Sequence, residues 1–363
     1  MKPFKIFDAE KSNLPTRVIG GEASGIRDWD NIKYPSMLDI RESLWNENWN
    51  LDEVKLGMDI TQYREVLTDI EKYVYNVETG MLNELDSAAT DFLFYLFSVI
   101  TDPSVRSVIA LINAYETLHN GGYQYLSSSM LNGLQKFEAF ESIKHIDELV
   151  DRNKYIYDKL NKLIDSIREY VINDKKEDNQ FFQDFFEGVL AYQCLEGLHF
   201  SSGFVYFHAL ARDQKMLGSN DMINLIKADE VQHSGFFGTL LRILMAENPI
   251  LNTRENMDYA KNFITTCVSK EKKWARFIFK DIDLFSMNEY EDYIEYLANV
   301  IARNAGMEEP FPENPEIKSR WIVTYGNKKR NNKDGKQIVT RKDFLQGNST
   351  EYSHSNGGDD FDM

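Results

Sequence analysis

Histidines in this sequence stand three residues after a glutamate more often than chance allows. Residues three apart lie on one face of a helix, so a carboxylate and an imidazole with this spacing can bind one metal ion. Of the six histidines, four follow the Glu-x-x-His pattern: Glu116/His119, Glu196/His199, Glu230/His233 and Glu351/His354. Four pairs are more than one site needs, and we attribute the last match to chance because it lies near the C-terminus.

Spacing along the chain sorts the remaining acids into two similar halves. Asp86 lies 30 residues before Glu116, and Glu196 lies 34 residues before Glu230. Each half therefore has an acid on one helix and a Glu-x-x-His pair on the next, which is the ligand set of dinuclear sites in helical bundles. Four carboxylates balance two divalent cations, whereas buried unpaired carboxylates are costly. We predict a dinuclear metal site with the ligands Asp86, Glu116, His119, Glu196, Glu230 and His233.

Two further side chains near these ligands have open roles. His199 follows Glu196 by three residues and is an extra ligand, a hydrogen-bond donor to a ligand or a packed residue; we favour the last two. Tyr123 lies four residues after His119, so both share a helix face. A tyrosine beside an oxidising metal pair can lose an electron and a proton to give a radical, and the alternative is an ordinary core tyrosine.

The chain must supply long helices to position these residues. Breaks fall at Asp102-Pro103, at Gly218-Ser219-Asn220 and at Asn248-Pro249. We predict an all-α protein with an irregular arm at 1–35, a helical domain at 36–325 and a flexible tail at 326–363. Within it, apolar residues recur at three- and four-residue steps over 61–100, 103–130, 134–173, 178–213, 218–247, 255–279 and 287–304.

Composition narrows the partners and the compartment. The formal net charge of −17 argues against a nucleic-acid partner. We find no apolar run long enough to span a membrane and no signal peptide. The two cysteines, Cys194 and Cys267, form no CxxC motif. These features predict a protein of a reducing compartment, the cytoplasm.

The motifs together resemble one family, the small, radical-generating subunit of class I ribonucleotide reductase. The resemblance runs from about Trp49 to the C-terminus. It is carried by WNLDEV at 49–54, LDS at 85–87, the ExxHxxxY pattern at 116–123, LEGLHFSSGF at 195–204 and ADEVQH at 228–233. It implies a ferritin-like bundle whose six predicted ligands bind two iron or two manganese ions, and a function as the small subunit of ribonucleoside-diphosphate reductase.

The resemblance also implies roles for residues beyond the ligands. Tyr123 would hold the stable radical, and Trp49 and Asp229, with His119, would begin the long-range radical path. Asp229 would also orient His119. An apolar pocket around the radical would be formed by Phe200, Phe204 and Ile226.

The C-terminal tail and the partners follow from the same resemblance. Tyr352 resembles the tail tyrosine that carries the radical onward, and the acidic end with Phe361 resembles the peptide that docks on the large catalytic subunit. The family also implies a homodimer, and its activating oxidant can require a flavoprotein encoded elsewhere.

Departures from the family pattern leave specific alternatives. Gly121 and Gly122 could loosen the helix before Tyr123, with Tyr125 as the nearest substitute. An ungapped alignment places Leu85 rather than Asp86 at the ligand position, and Glu84 is a weaker candidate. Two other functions compete: a self-contained diiron oxidase or desaturase, and a ferritin-like metal store.

Overall fold

The computed structural model describes residues 7–172, 178–326, 330–331 and 337–338. The chain divides into two units, Met1–Lys328 and Lys329–Met363. The described part of the first unit is helical, as predicted. Its α-helices are α1 (Ser36–Asn46), α2 (Gly57–Glu65), α3 (Asp69–Val99), α4 (Pro103–Met130), α5 (Gly133–Ser142), α6 (Asp147–Ile172), α7 (Asn179–Cys194), α8 (Ser201–Arg212), α9 (Leu217–Glu247), α10 (Arg254–Ile278), α11 (Met287–Asn304) and α12 (Arg320–Gly326).

Shorter elements complete the described residues. A π-helix, Leu195–Phe200, joins α7 directly to α8, and short 3₁₀-helices cover Leu51–Glu53, Ile143–His145 and Pro249–Leu251. In the second unit, the strands β1 (Arg330–Asn331) and β2 (Gln337–Ile338) pair antiparallel.

Side-chain caps explain where several helices begin. The predicted segment 61–100 is divided because Thr68 starts a new helix: its hydroxyl accepts from the amide of Glu71, whose carboxylate accepts from the Thr68 amide. Asp102 caps α4 by accepting from the amides of Ser104 and Val105. Pro103 at the first helical position is compatible with this cap because it has no amide hydrogen to satisfy. The predicted segment 134–173 is likewise divided, into α5 and α6.

The long helices α3, α4, α7 and α9 pack around the centre of the bundle, and α8 packs on α9. Their facing sides are almost entirely buried and form one hydrophobic core. Both cysteines, Cys194 and Cys267, are buried free thiols in it. No helix within the described residues is long and apolar enough to cross a membrane.

Helix α12 closes the first unit against α8 and α9. Its last carbonyl groups are bound by side chains of α9. Tyr325 O accepts from Asn220 Nδ2 at 3.1 Å and from Asn224 Nδ2 at 2.8 Å, and Gly326 O accepts from Lys227 Nζ at 3.2 Å. These bonds satisfy carbonyls that a helix C-terminus otherwise leaves unpaired, and they fix where the chain leaves the bundle.

Candidate metal centre

The six predicted ligands come from four places in the bundle. Asp86 lies on α3, and Glu196 lies in the π-helix. The two Glu-x-x-His pairs lie on α4 and α9. All six side chains have 0% solvent exposure. Helices distant in sequence therefore bring the acids and imidazoles together in the core of the bundle.

The ligand atoms form two overlapping groups, each with all its atoms within 4.8 Å of one another. One group contains Asp86, Glu116, His119 and Glu230. The other contains Glu116, Glu196, Glu230 and His233. Glu116 and Glu230 belong to both groups, so these two carboxylates would be shared by the two ions when a metal pair is bound. The geometry thus suits a pair of metal ions with one imidazole for each.

Both imidazoles present the same nitrogen to the carboxylates. His119 Nδ1 lies 2.9 Å from Glu230 Oε1, and His233 Nδ1 lies 3.0 Å from Glu116 Oε1. The opposite nitrogen of His119, Nε2, lies 3.0 Å from Asp229 Oδ2. Asp229 also accepts from Trp49 Nε1 at 2.7 Å, and the Trp49 and His119 rings are nearly parallel, with centroids 6.1 Å apart. Asp229 therefore fixes the orientation of His119, a usual arrangement behind a metal-binding histidine.

Burial and mutual repulsion shape the protonation of this cluster. Burial, with the charge of Glu116, raises the pKa values of Asp86 and Glu196 well above their usual range. Burial also acts to raise the pKa of Glu230, but hydrogen bonding with Glu196 and the positive charges of the two imidazoles hold it below its usual range. The neighbouring carboxylates raise the pKa of His119 well above its usual value, although burial opposes this. Four acids in contact thus need compensating positive charge, which protons or two divalent cations can supply.

Unpaired buried atoms test whether a metal pair fits. Both oxygens of Asp86 are inaccessible to solvent and have no hydrogen-bond partner among the described residues. An isolated buried carboxylate is costly unless it is neutralised or coordinates a cation. The donor set of carboxylate oxygens and imidazole nitrogens suits divalent iron and manganese. The residues present therefore fit a dinuclear metal site.

Tyr123 lies on the same helix as Glu116 and His119 and has 0% exposure. Its hydroxyl makes no hydrogen bond with any described residue. Burial and the charge of Asp86 raise the pKa of Tyr123 well above its usual value. The side chain is therefore a neutral, dry phenol close enough to the cluster to feel its charge.

The two glycines before Tyr123 do not interrupt α4, which continues from Pro103 to Met130. A Cβ at Gly122 would lie 3.1 Å from Met222 Sδ on α9, so this glycine permits a close approach of the two helices. Tyr125 is only partly buried, and its hydroxyl lies 3.5 Å from the Val54 carbonyl oxygen. It has no place among the clustered ligand groups.

The predicted apolar pocket residues Phe200, Phe204 and Ile226 all have 0% exposure. The rings of Phe200 and Phe204 are stacked with centroids 6.4 Å apart. Ile226 lies beside α4, since a Cβ at Gly122 would be 3.4 Å from its Cδ1. All three are therefore core side chains, and the contact at Gly122 places Ile226 beside the helix of Tyr123.

The alternative ligand candidates of the sequence lie outside the two ligand groups. Leu85 is a core residue with 0% exposure. Glu84 accepts from Tyr157 Oη and from Asn153 Nδ2, each at 2.7 Å. Tyr352 and Phe361 of the tail lie outside the described residues.

His199 shows why a Glu-x-x-His match can fail. It lies with Glu196 in the π-helix, where the wider turn rotates residues three apart onto different faces. Its ring is 1% exposed, and neither ring nitrogen has a hydrogen-bond partner in the described part of the chain. Burial and the nearby Arg152 hold the pKa of His199 well below its usual value, so the ring is neutral.

A second buried polar network was not predicted from the sequence. Arg152 on α6 donates through Nε to Glu271 Oε2 on α10 at 2.5 Å, and Tyr290 on α11 donates to Glu271 Oε1 at 2.8 Å. Arg152 Nη2 also donates to the carbonyl oxygen of His199 at 2.9 Å. The available signal was a charged residue in the core register of an amphipathic helix: Arg152 falls in the helical series of Leu149, Ile156, Leu160 and Leu163.

Comparisons with known proteins show the family of the chain. The family model described as ribonucleotide reductase, small chain, matches residues 26–318. The ribonucleoside-diphosphate reductase subunit beta of Halalkalibacterium halodurans is 31% identical over 359 residues, which cover 99% of this chain and 97% of that protein.

Solved structures give the same result for the fold. The ribonucleotide reductase R2 subunit from Clostridium botulinum superposes with a TM-score of 0.81 at 26% identity, covering 90% of this chain and 99% of that chain. The dimanganese(II)-NrdF structure from Streptococcus sanguinis has a TM-score of 0.70 at 18% identity, covering 84% and 99%, and supports the fold alone. The predicted ferritin-like bundle is confirmed, and the chain belongs to the ribonucleotide reductase small-chain family.

Proposed function

We propose that this small (beta) subunit of ribonucleoside-diphosphate reductase binds two iron or two manganese ions and forms a tyrosyl radical at Tyr123 for a separate large catalytic subunit. One observation carries the proposal: Glu116 and Glu230 belong to both ligand groups, while Tyr123 lies one turn beyond His119 on α4. When bound, the metal pair supplies the oxidising power, taken from dioxygen or a reduced oxygen species, that one-electron oxidation of a phenol requires. The ligands suit both metals, and experiment must distinguish them.

The residues around Tyr123 favour a long-lived radical. Tyr123 keeps its proton on Oη until oxidation, because burial and Asp86 raise its pKa. On oxidation the phenol would lose one electron to the metal pair, and a neighbouring basic group of the cluster would accept the Oη proton. Phe200, Phe204 and Ile226, all buried, would exclude water and reductants from the radical.

A hydrogen-bonded chain supports the proposed radical path away from the centre. Trp49 Nε1 donates to Asp229, and the same carboxylate oxygen contacts His119 Nε2. All three side chains are at most 1% exposed. This hydrogen-bonded path therefore links the predicted ligand His119 to the indole ring of Trp49 through two short polar contacts. We infer that electrons and protons move along this chain when the large subunit is bound.

The tail and the assembly belong to the proposal on the strength of the sequence resemblance. Tyr352 would pass the radical onward, and the acidic end with Phe361 would dock on the large subunit. We propose a homodimer in the cytoplasm, activated where necessary by a flavoprotein. Nothing in the described residues or in the family match favours the self-contained oxidase. Light scattering should give twice the chain mass of 42.3 kDa, whereas a storage cage would be many times larger.

The first experiment is low-temperature electron paramagnetic resonance on protein loaded separately with iron or manganese under air, with metals counted per chain. Two metals and a tyrosyl signal are expected with the active metal. The signal should disappear in Tyr123→Phe and persist in the matched control Tyr125→Phe. A signal that survives Tyr123→Phe, or a protein that binds no metal, would overturn the proposal.

The path is tested separately. Trp49→Phe and Tyr352→Phe should retain both metals and the radical but lose turnover with the large subunit. Trp45→Phe is the control, because Trp45 is 64% exposed and only four residues away. Full turnover in Trp49→Phe would rule out the path while leaving the metal centre intact.

A further inference from the structure

The π-helix at Leu195–Phe200 carries one metal ligand, Glu196, and interrupts an otherwise continuous pair of α-helices. Such segments are rare and often mark functional sites, since their hydrogen-bond pattern is less regular than that of an α-helix. The backbone here receives outside support. The carbonyl oxygen of His199 accepts from Arg152 Nη2 and from Ser202 Oγ, both at 2.9 Å.

Arg152 is itself held rigidly. Its Nε donates to Glu271, whose other oxygen accepts from Tyr290, and its Nη1 donates to Asn153 Oδ1 at 2.6 Å. Arg152, Glu271 and Tyr290 are each at most 1% exposed. The guanidinium thus joins α6 and α10 to a single carbonyl of the π-helix. A planar group with several fixed donors suits this task better than a flexible ammonium.

The π-helix is also held by close packing at Gly197. A Cβ at Gly197 would lie 2.4 Å from Ser234 Oγ on α9 and 2.9 Å from Ile301 Cγ1 on α11. The segment therefore contacts α9 and α11 at Gly197 and receives the guanidinium at His199. Glu196 directly precedes the first of these two fixed points and lies three residues before the second.

We propose that Arg152 is a positioning residue: by holding the His199 carbonyl, it keeps the π-helix in the register that directs the Glu196 carboxylate to the metal pair. This inference rests on the proposed metal centre. It predicts an asymmetry, because Glu196 belongs to only one ligand group, with His233, and not to the group that contains Asp86 and His119. Loss of Arg152 should therefore weaken one metal position and spare the other.

The test uses the full chain with Mn(II) as the probe. The variant Arg152→Met/Glu271→Met removes both charges together. We choose the double variant because a protein usually still folds when a buried ion pair is replaced by apolar residues. Equilibrium dialysis counts bound Mn(II), and electron paramagnetic resonance distinguishes a coupled pair from an isolated ion. The second Mn(II) should bind about 10–100-fold more weakly in the variant, leaving one ion per chain with the signal of an isolated ion.

Arg106→Met is the matched control. Arg106 also donates to backbone carbonyls, those of Phe97 and Ile100, but at the end of α3 rather than in the π-helix. It should retain the coupled pair at a comparable loss of thermal stability. Unchanged affinity for both ions in the double variant, or equal weakening of both, would overturn the role of Arg152. Wild-type protein that binds no Mn(II) or iron would instead overturn the proposed function.

Discussion

The π-helix contributes to two buried groups of charged residues, and the charges of the two groups are compensated in different ways. In the metal-centre cluster, Glu196 joins three other carboxylates, and Asp86 has two buried oxygens without a hydrogen-bond partner among the described residues. In the other group, which we call the arginine network, Arg152 has defined acceptors in Glu271, Asn153 and the His199 carbonyl. One cluster needs positive charge, whereas the other contains its own.

The two groups differ in whether their positive charge is permanent, and this difference indicates which group can bind metal ions. Arg152 is a permanent cation, and burial, which acts to lower its pKa, is outweighed by Glu271 and Tyr290. The imidazoles of the metal-centre cluster carry charge only with a proton. A cluster whose balance depends on exchangeable protons can exchange them for metal ions. The arginine network cannot, and so it serves as a fixed support.

The largest effect is expected from a carboxyl-to-amide change made once in each group. Glu271→Gln leaves Arg152 buried without its counter-charge and should destabilise the protein by about 3–5 kcal/mol. Asp86→Asn, measured with chelator present, should be neutral or stabilising by about 1–3 kcal/mol, because Asp86 must otherwise take up a proton or carry an unpaired charge when it is buried on folding. Urea denaturation with an unchanged slope measures both. Shifts of the same sign would contradict the comparison.

Metal affinity separates the shared ligands from the unshared ones. Glu116→Gln should weaken both metal positions by at least about 10–100-fold, since Glu116 belongs to both groups. Glu196→Gln should weaken only one. Dialysis against Mn(II), with metals counted per chain, gives the numbers. A Glu116→Gln protein that still binds two ions tightly would show that the carboxylate does not bridge.

Glu78 lies within the electrostatic reach of Arg152 and provides a pH-dependent test of protein stability beside the arginine network. Burial raises the pKa of Glu78 well above 4.5, although Arg152 opposes the shift, and both its oxygens lack a hydrogen-bond partner in the described ranges. A raised folded-state pKa gives stability that is present below the unfolded pKa and lost as pH rises. Glu78→Gln should match wild type near pH 4.5 and be about 1–3 kcal/mol more stable at pH 8.

Thermal unfolding at both pH values checks this, with exposed Glu65→Gln as the control for the amide substitution itself. An equal gain at both pH values would show that Glu78 does not bind a proton on folding.

The last pair of variants changes two glycines. Gly121 lies on α4 with the metal-centre residues Glu116 and His119, and Gly197 lies in the π-helix. Gly121→Ala should stabilise the protein by about 0.5–1 kcal/mol, because the helix gains propensity and the new Cβ meets only Leu51 Cδ1 at 3.4 Å. Gly197→Ala should destabilise it by about 1–3 kcal/mol through overlap with Ser234 and Ile301. Calorimetry of both variants ranks them. A stabilised Gly197→Ala would mean that the π-helix packs less tightly than it does here.

Local periodicity was sufficient to predict the all-α fold and to nominate the clustered residues. Glu116, His119 and Tyr123 share a face because α4 is regular between them. The α-helical spacing rule could not place His199, because residues three apart do not share a face in a π-helix. The local sequence LEGLHF contains no signal that predicts a π-helix. Asp86 was preferred over Leu85 because of the neighbouring EKYVY and LDS segments, since periodicity alone does not show which of the two side chains meets Glu116.

The arginine network lies beyond local rules for a related reason. Arg152 and Glu271 are 119 residues apart, and Tyr290 joins them from a third helix. Each stands at a core position of its own helix, which signals a buried charge but not its partner. Pairing is a property of tertiary packing, so sequence patterns in one helix contain too little information to predict it.

The π-helix has a consequence for how this protein can evolve. Loss of a single codon within 195–200 would allow the segment to become α-helical, because five α-helical residues complete nearly the same rotation as six residues of a π-helix. Helices α7 and α8 would then keep nearly the same relative orientation, and Phe204 would stay in the apolar interior. Only the wider turn that carries Glu196 would be lost, so a descendant of this gene can lose the metal-site geometry here without losing the fold.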